Sequence, residues 1–343
     1  QTTIRGYRTE ARFLRALSYY HALDLFGNVP FITEDDVVGA FYPERITRAE
    51  LFNYVESELL AVATELPAPR ANEYGRADRA AAWTLLARLY LNAEVYTGTA
   101  RYTDCATYCQ KVITEGGYSL EPVYDHLFMS DNQGSNEVIF PVTFDGQFTQ
   151  TYGGTTFLTH STVGGDSLSQ IDKTYYGIEF GWGGNRSTPQ YANFFPDAND
   201  ARNMFKTFGQ TLEFTDDAQL GQFVVGYPIA KWRNVMSTSV AEYTGTMLND
   251  VLTVTSVENG TVQVGQYLAG SGIKGDNKIT EFISGTGGTG TYRIAVADTV
   301  DVPTTLHAAI PGTNLDAGGN FTDIDFPMMR LAAVYLMYAE CAA

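Results

Sequence analysis

The chain has little positive charge for its size. Its 343 residues include 22 Lys and Arg against 39 Asp and Glu, which gives a formal net charge of −17 at pH 7. Nucleic acid and anionic membrane surfaces are themselves negative and attract basic patches, so we expect neither as a partner. The composition is 44% hydrophobic and 18% charged, which is enough apolar residue for a core and does not indicate disorder.

Cysteine is scarce, and its odd count of three argues against a framework of disulfides. Cys105 and Cys109 are four residues apart in a predicted helix, and Cys341 lies near the end of the chain. A zinc site needs a fourth ligand and usually a second close pair, and no histidine is near these cysteines in the sequence. We therefore expect buried thiols, which do not indicate a redox compartment.

Long apolar runs are also missing. No stretch of 18 apolar residues occurs, so no transmembrane helix is predicted, and no signal peptide is present at Gln1. The chain nevertheless starts almost directly on a helix that needs neighbours and ends on another, "FPMMRLAAVYLMYAECAA". We therefore expect a fragment of a longer protein, whose targeting segment would precede residue 1.

The common catalytic motifs are absent. The four histidines, His21, His126, His160 and His307, form no metal-binding pair at helical spacing, and neither G-x-S-x-G nor H-E-x-x-H occurs. Residues 285–290, "GTGGTG", match G-x-G-x-x-G but precede an apparent strand. A dinucleotide site needs strand, turn and helix, so a glycine-rich β-turn is predicted instead.

Acidic residues occur in close pairs, at Asp35-Asp36, Asp216-Asp217 and Asp323/Asp325. We expect them to be solvated or to form turns, and we predict no cofactor. Calcium binding at one of them stays open as an alternative, although no EF-hand loop is present. Carboxylates this abundant could also be paired as in a glycoside hydrolase, but no motif selects a pair. Our prediction is that the chain is not an enzyme.

The most distinctive stretch is residues 10–34, "EARFLRALSYYHALDLFGNVPFITE". It starts as a strong helix whose polar residues are spaced by three, so they drift around the helix and leave no lasting solvent stripe. Such a helix should be covered on more than one side, inside a stack of helices. The segment Gly27–Pro30 is expected to end it, since glycine or asparagine can take a left-handed cap and proline cannot continue a helix.

Three further helices are predicted before residue 120. Thr47 and Glu50 have the spacing of a capping box, which opens the second helix. The third helix lies in "GRADRAAAWTLLARLYLNAEVYTG" and ends at Gly98, and the fourth is "RYTDCATYCQKVITEGG". A short connection makes the last two an antiparallel hairpin, and stacked helical hairpins are typical of repeat superhelices. The tetratricopeptide consensus is only loosely met, so pattern and spacing predict a mainly α, helical-repeat superhelix with long irregular loops and a small inserted β module.

The β module is predicted from residues 250–308. Its sequence alternates apolar and small polar residues around Asn259-Gly260, a strong hairpin signal. The predicted division is therefore a helical scaffold with binding loops over residues 1–249, the inserted module over 250–308, and a return to the scaffold helix over 309–343.

A long stretch rich in glycine, threonine and tyrosine, about residues 145–186, is the predicted binding region. A structureless loop of this length in a compact domain is usually functional or disordered, and its aromatic content argues against disorder. Sugar sites combine aromatic faces with amide, carboxylate or guanidinium groups. The candidate ligand-binding residues are Tyr152, Tyr175, Tyr176, Phe180, Trp182, Asn185 and Arg186.

Trp182 is the best single candidate because Gly181, Gly183 and Gly184 leave its indole uncovered. The alternative is that Trp182 packs its own loop onto the core. Trp83 and Trp232 are predicted to be packed in the interior.

The opening stretch closely resembles the signature of the SusD/RagB family, outer-membrane lipoproteins of Bacteroidetes that capture nutrients at the cell surface. Three further pieces resemble the same family in the same order: "GRADRAAAWTLLARLYLNAEVY" with "YTDCATYCQKVI", then "NEVIFPV", then "DFPMMRLAAVYLMYAEC". Two features depart from the family pattern. The lipid-bearing cysteine and the usual N-terminal part are absent, and residues 250–308 resemble a short β repeat of phage tail and bacterial surface proteins.

The resemblance implies a tetratricopeptide-like scaffold, a SusC-like TonB-dependent transporter as partner, and attachment to the outer membrane through a lipid anchor outside this chain. It brings no catalytic residues, and the glycan contacts of the family are not bound to motifs. The expected function is capture of glycans at the cell surface for that transporter. A peptide-capturing member of the family and a helical-repeat scaffold without a small ligand are the alternatives.

Overall fold

The structure is a computed structural model, and it describes residues 2–39, 41–164, 175–197, 200–205, 210–215, 224–273, 277–311 and 321–343. The chain forms two compact units. The helical unit comprises residues 1–120, 136–142 and 327–343, and the loop-and-sheet unit comprises residues 121–135 and 143–326. The predicted three-part division at residues 249 and 308 remains a prediction.

The helices and strands of both units are numbered here along the chain. The helices are α1 Thr2–Phe26, α2 Arg48–Glu65, α3 Arg79–Leu91, α4 Ala93–Thr97, α5 Tyr102–Glu115, α6 Gly154–His160, α7 Pro189–Ala192 and α8 Leu331–Ala342. The strands are β1 Val29–Pro30, β2 Arg45–Ile46, β3 Val138–Val142, β4 Ala241–Asn259, β5 Tyr267–Gly270, β6 Ile279–Phe282, β7 Gly290–Ala309 and β8 Phe326–Arg330. No described helix is both long enough and apolar enough to cross a membrane.

Helix α1 packs against α2 and α3 through one face that includes Phe13, Leu17 and Leu23. Leu14, Leu25 and Phe26 are exposed. The prediction that this helix is covered on more than one side is therefore wrong for these three residues within the helical unit. They lie off the packed face, and apolar side chains left in water are common on protein surfaces.

The helix ends follow local chemistry. Thr47 opens α2 with the predicted capping box, in which its side chain accepts from the Glu50 N–H and the Glu50 carboxylate accepts from the Thr47 N–H. The predicted third helix is two helices, α3 and α4, because the chain leaves helical geometry at Asn92. Gly98 ends α4 in the left-handed conformation, with φ of 78°, as predicted.

Helix α5 packs against both α3 and α8 and completes one hydrophobic core. Cys105 and Cys109 are buried free thiols, as predicted, whereas Cys341 on α8 is half-buried. Burial is the main cause that raises the pKa of Cys341 to about 12. Strand β8, which pairs with β3, leads directly into α8.

The loop-and-sheet unit contains a four-stranded sheet in the order β4-β7-β5, with β6 also paired to β7. β4 and β7 are antiparallel, and the register places Ala241 opposite Ala308 and Val254 opposite Gly290. The predicted hairpin around Asn259-Gly260 is wrong, since β4 pairs with β7 and β5 pairs with β7 as well. Gly260 follows the last residue of β4 and has a positive φ of 68°. The chain turns there, but the segments on its two sides do not pair with each other as strands.

The sheet has its own core, in which Tyr243, Leu252, Ile279 and Tyr292 are completely buried. β4 begins at Ala241 rather than at residue 250. Residues 285–290 lie in the turn that enters β7, which agrees with the glycine-rich β-turn expected there.

Candidate functional site

Six aromatic rings of the loop-and-sheet unit lie next to one another and are called here the aromatic platform: Tyr152, Phe157, His160, Phe180, Trp182 and Phe321. The His160 and Trp182 rings stack, with centroids 4.5 Å apart and planes inclined by 19°. The centroids of Tyr152 and Phe157 lie 6.1 and 6.4 Å from that of Trp182. Tyr152 is 69% exposed and Trp182 is half-buried, so the platform faces solvent.

Backbone hydrogen bonds hold the segment that carries Trp182. The Trp182 N–H donates to the His160 carbonyl at 3.0 Å, and the Asn185 N–H donates to the Ser161 carbonyl at 2.8 Å. Between them, Gly183 donates to the Val163 carbonyl at 3.0 Å. The indole therefore projects from a segment whose position is set by the chain just after α6.

Helix α6 supplies Phe157 and His160 and is anchored by its threonines. The Thr155 hydroxyl donates to the Ile324 carbonyl at 2.7 Å, and the Thr322 N–H donates to the Thr156 hydroxyl at 3.2 Å. These bonds fix the chain that follows Phe321 beside α6, and the Phe321 ring centroid lies 5.1 Å from that of Tyr152. The platform thus combines three stretches that are distant in sequence.

His160 forms the floor of the platform. Its ring is buried, and Nδ1 lies 2.8 Å from the Phe180 carbonyl oxygen, which orients the imidazole under Trp182. One face of the indole is therefore covered by His160, while the side chain as a whole keeps solvent access. This geometry combines elements of both interpretations of Trp182, since the ring packs on His160 and the side chain remains partly exposed.

Three of the predicted aromatic residues, Tyr152, Phe180 and Trp182, come together in the platform. Asn185, three residues after Trp182, is exposed, and its amide nitrogen donates to the Ser161 hydroxyl at 2.9 Å. Arg186 donates from Nη1 to the Val225 carbonyl at 2.9 Å, which ties its guanidinium to a neighbouring loop. An exposed aromatic surface with an amide group nearby can stack on the apolar face of a ring and donate hydrogen bonds at its edge.

Tyr175 and Tyr176 lie elsewhere. They are only 9% and 0% exposed and pack in a separate cluster with Val163, Ile178 and Ala230. The Tyr176 ring is not exposed to solvent, so it cannot contact a ligand at the surface. The two tyrosines are adjacent in sequence, and both rings pack in the buried interior of the loop region.

Phe157, His160 and Phe321 were not predicted as site residues. Phe157 and His160 are three apart and share a face of α6, a spacing that could have been noticed within the loop sequence. Phe321 has no comparable local signal, because it reaches Tyr152 only through the contacts of residues 322–324 with α6.

The acidic pairs have different roles. Asp325 is buried and accepts from the Phe144 N–H at 2.8 Å, so the expectation that it is solvated is wrong. Asp323 accepts from the Gly146 N–H at 2.9 Å, and both carboxylates thereby fix the start of the binding loop. Asp36 closes an exposed turn by accepting from the Thr33 N–H at 2.7 Å, as predicted. Asp216-Asp217 lie outside the described residues, within which no group of three or more His, Cys, Asp or Glu side chains could hold a metal ion.

Comparison with known proteins shows what the chain is similar to. Residues 1–91 match a SusD-like family model described as starch-binding and associating with the outer membrane. The starch-binding protein SusD of Bacteroides thetaiotaomicron is 43% identical over 159 residues, which cover 45% of this chain and 28% of that protein. Over these segments the chain is similar to the SusD-like family.

Solved structures agree at the level of the fold. A laminarin-binding SusD-like protein superposes with a TM-score of 0.60 at 17% identity, covering 100% of this chain and 60% of that one. Surface glycan-binding protein A of Bacteroides thetaiotaomicron, in complex with laminarihexaose, gives a TM-score of 0.52 at 19% identity, covering 69% and 51% of the two chains. The chain therefore spans less than two thirds of the length of these relatives, between 28% and 60%.

Proposed function

We propose that this chain captures glycans without chemically changing them, and that the aromatic platform is where it does so. The observation that carries the proposal is a half-buried Trp182 supported by His160 on one face and flanked by the exposed ring of Tyr152. Pyranose rings have an apolar face that packs on such surfaces, and their hydroxyls suit amide donors and acceptors such as those of Asn185.

Glucans are the first class of ligand to test. One relative is named for starch and one structural neighbour for laminarin, and another neighbour was solved with laminarihexaose. Starch and laminarin are both polymers of glucose, and they differ in the linkages that set the curvature of the chain. A platform of several rings inclined to one another supports binding of a curved chain better than binding of a single flat ring.

The cellular setting is inferred from the similarity to SusD-like proteins. We propose that the full protein is a lipid-anchored protein of the outer-membrane surface and delivers its glycan to a SusC-like TonB-dependent transporter. In this proposal the helical unit is part of a tetratricopeptide-like superhelix that serves as scaffold, and the loop region carries the ligand. The stacked helices α3, α5 and α8 support this assignment.

The proposal is tested by affinity electrophoresis of the chain in gels that contain amylopectin, laminarin or a non-glucan polysaccharide. We expect a glucan to retard the chain and Trp182→Ala to lose most of that retardation. Loss of one stacking contact should cost about 1 kcal/mol, roughly a fivefold fall in affinity. Tyr42→Ala is the matched control, since Tyr42 is a fully exposed ring of the helical unit.

Each outcome of the gels has a clear meaning. Retardation that Trp182→Ala leaves unchanged would keep the function but reject the platform as its site. Absence of retardation by every glycan would reject glycan capture. Peptide binding would then be measured next, and a scaffold without small ligand would remain if that also failed.

A further inference from the structure

The loop-and-sheet unit also contains a pocket whose walls share no residue with the aromatic platform. It is a cavity of about 160 Å³ that we call the sheet-base pocket. Its walls come from the ends of β4 and β7, including Glu242 and His307, and from the loops, including Asp125, Tyr175 and Arg233. None of these lining residues belongs to the platform.

Arg233 is the unusual residue of this pocket. It is only 4% exposed, yet no ion pair involves it within the described residues. Its guanidinium lies over the Tyr175 ring, 4.0 Å from the centroid, and Nε donates to the Tyr175 carbonyl at 3.2 Å. In the described part of the chain this is the one hydrogen bond that the guanidinium makes. A buried cation normally has its donors satisfied, so the remaining N–H groups of Arg233 at the pocket wall call for a ligand.

The other charged groups define the kind of ligand. Asp125 and Glu242 bring two carboxylates to the wall, and His307 Nδ1 lies 3.8 Å from a Glu242 carboxylate oxygen. Two carboxylates against one guanidinium disfavour an anion in the pocket. Hydroxyl groups both donate and accept, so a polyhydroxylated neutral molecule can accept from Arg233 and donate to the carboxylates at the same time.

We propose that the sheet-base pocket binds a single neutral sugar residue. Its volume of about 160 Å³ is well below the roughly 300 Å³ at which sites for drug-sized ligands begin, so a chain of several sugars does not fit inside. The pocket would hold a chain end or a side branch of a glycan. This proposal rests on the proposed function only in its choice of sugar as the ligand class.

The proposal gives the sheet a role in binding. The ends of β4 and β7 provide a wall of the pocket, including Ala241 and Ala308, which are opposite each other in the register. The proposal also gives Tyr175 a role, since its ring packs under the Arg233 guanidinium instead of contacting a ligand at the surface.

The test uses the isotopically labelled full chain carrying Trp182→Ala, so that the platform does not contribute. Titration with D-glucose should shift the backbone amide signals of Glu242, His307 and Ala308 and saturate in the millimolar range. Arg233→Lys replaces the planar guanidinium and its several N–H donors by an ammonium group. It should weaken glucose binding about tenfold, which corresponds to about 1.4 kcal/mol. Because Arg233 is buried, the thermal unfolding of the Arg233→Lys variant is compared with that of the parent chain to check that the variant is folded.

Glu242→Ala is the second variant, chosen because Glu242 lies on a strand with a partly exposed side chain and its loss should not prevent folding. It should weaken glucose binding about fivefold, as expected for loss of a charged hydrogen-bond partner. D-glucuronate should bind more weakly than glucose, since its carboxylate meets Asp125 and Glu242.

Absence of saturable shifts at these three amides would overturn the proposal, as would glucuronate binding more tightly than glucose. Neither result touches the platform, because retardation of the unmodified chain by polysaccharide is measured separately. If no polysaccharide retards the unmodified chain while the glucose shifts persist, the platform is rejected and the pocket is kept.

Discussion

At the scale of single residues, the position of Trp182 depends on the absence of a side chain at its neighbour Gly181. A Cβ at Gly181 would lie 2.4 Å from the Val163 carbonyl oxygen and 2.5 Å from that of Gly164. Both are backbone atoms, which cannot turn aside as a flexible side chain can. Gly184, on the other side, has only ordinary contacts, with Ser161 atoms at 3.6 Å.

Gly181→Ala should therefore move the segment that carries Trp182. We expect a loss of about 1–3 kcal/mol in the free energy of unfolding, the usual cost of overpacking, together with weaker retardation by glucan. Gly184→Ala is the matched control and should leave both quantities nearly unchanged. Urea unfolding and the same gels measure the two effects. Equal behaviour of the two variants would show that the close approach at Gly181 does not position the indole.

At the scale of elements, α1 and α2 are joined by a cluster of charges. The Glu58 carboxylate accepts from Arg12 at 2.8 and 3.0 Å and from Arg15 at 3.0 Å, and Arg15 also pairs with Glu34. The hydrogen bonds from Arg12 are the main cause that lowers the pKa of Glu58, and Arg15 lowers the pKa of Glu34 to about 2. Arg12 and Arg15 of α1 thus form ion pairs with Glu58 and Glu34 and do not form a continuous polar stripe that faces solvent.

The sign of the resulting pH dependence follows from the lowered pKa of Glu58. Ionised Glu58 stabilises the fold above its ordinary pKa of about 4, and this contribution is lost as the pH falls through the lowered pKa of the folded state. Glu58→Gln should cost about 1–2 kcal/mol at pH 7 and progressively less below about pH 4. Urea unfolding at both pH values measures it, with the exposed Glu115→Gln as control. A cost that does not change with pH would contradict the ion-pair account.

Helix α6 provides a second prediction at this scale. Thr155 donates out of the helix to the Ile324 carbonyl, whereas Thr159 donates to the Thr155 carbonyl within α6. Both are buried, and valine has nearly the same shape as threonine. Thr155→Val should lower the free energy of unfolding by about 1 kcal/mol and weaken glucan binding, because Ile324 loses its donor. Thr159→Val should change less. Similar losses for both variants would mean that the link from α6 to Ile324 does not anchor the platform.

The elements also show what could be predicted from the sequence. The capping box at Thr47 and the end of α4 at Gly98 depend on residues a few positions apart, and both were predicted. The pairing of β4 with β7 was missed, since these strands are separated by β5 and β6 and the local signal at Asn259-Gly260 favoured a hairpin. The platform was predicted in part for the same reason, as Trp182 is recognisable alone but Phe321 is not.

At the scale of the whole molecule, the sheet enters and leaves the rest of its unit at neighbouring points. Ala241 lies opposite Ala308, the Met236 N–H donates to the Ile310 carbonyl at 2.9 Å, and the Ile310 N–H donates to the Ser239 hydroxyl at 2.8 Å. Strand partners of this kind are close enough for a two-residue turn to connect them. The residues between Ala241 and Ala308 could therefore be deleted and the two ends joined by a short turn without straining the remaining chain.

Replacing residues 242–307 by Asn-Gly should give a chain that still folds. We expect the urea m-value to fall, since less surface is exposed on unfolding, and retardation by glucan to stay as in the full chain because the platform lies outside the sheet. Glucose binding at the sheet-base pocket should be lost with its wall. A folded deletion variant without retardation would show that the sheet is required for the platform.

The central claim is that a glycan rests on Trp182, and fluorine NMR of the chain labelled with 5-fluorotryptophan tests it most directly. The chain has 3 tryptophans, and Trp83 and Trp232 are buried at 7% and 9% exposure. Trp182→Phe assigns the third signal. Addition of laminarihexaose or a starch oligosaccharide should shift the Trp182 signal in a saturable way and leave the other two in place. A Trp182 signal that stays unchanged while a glucan retards the chain would contradict the account.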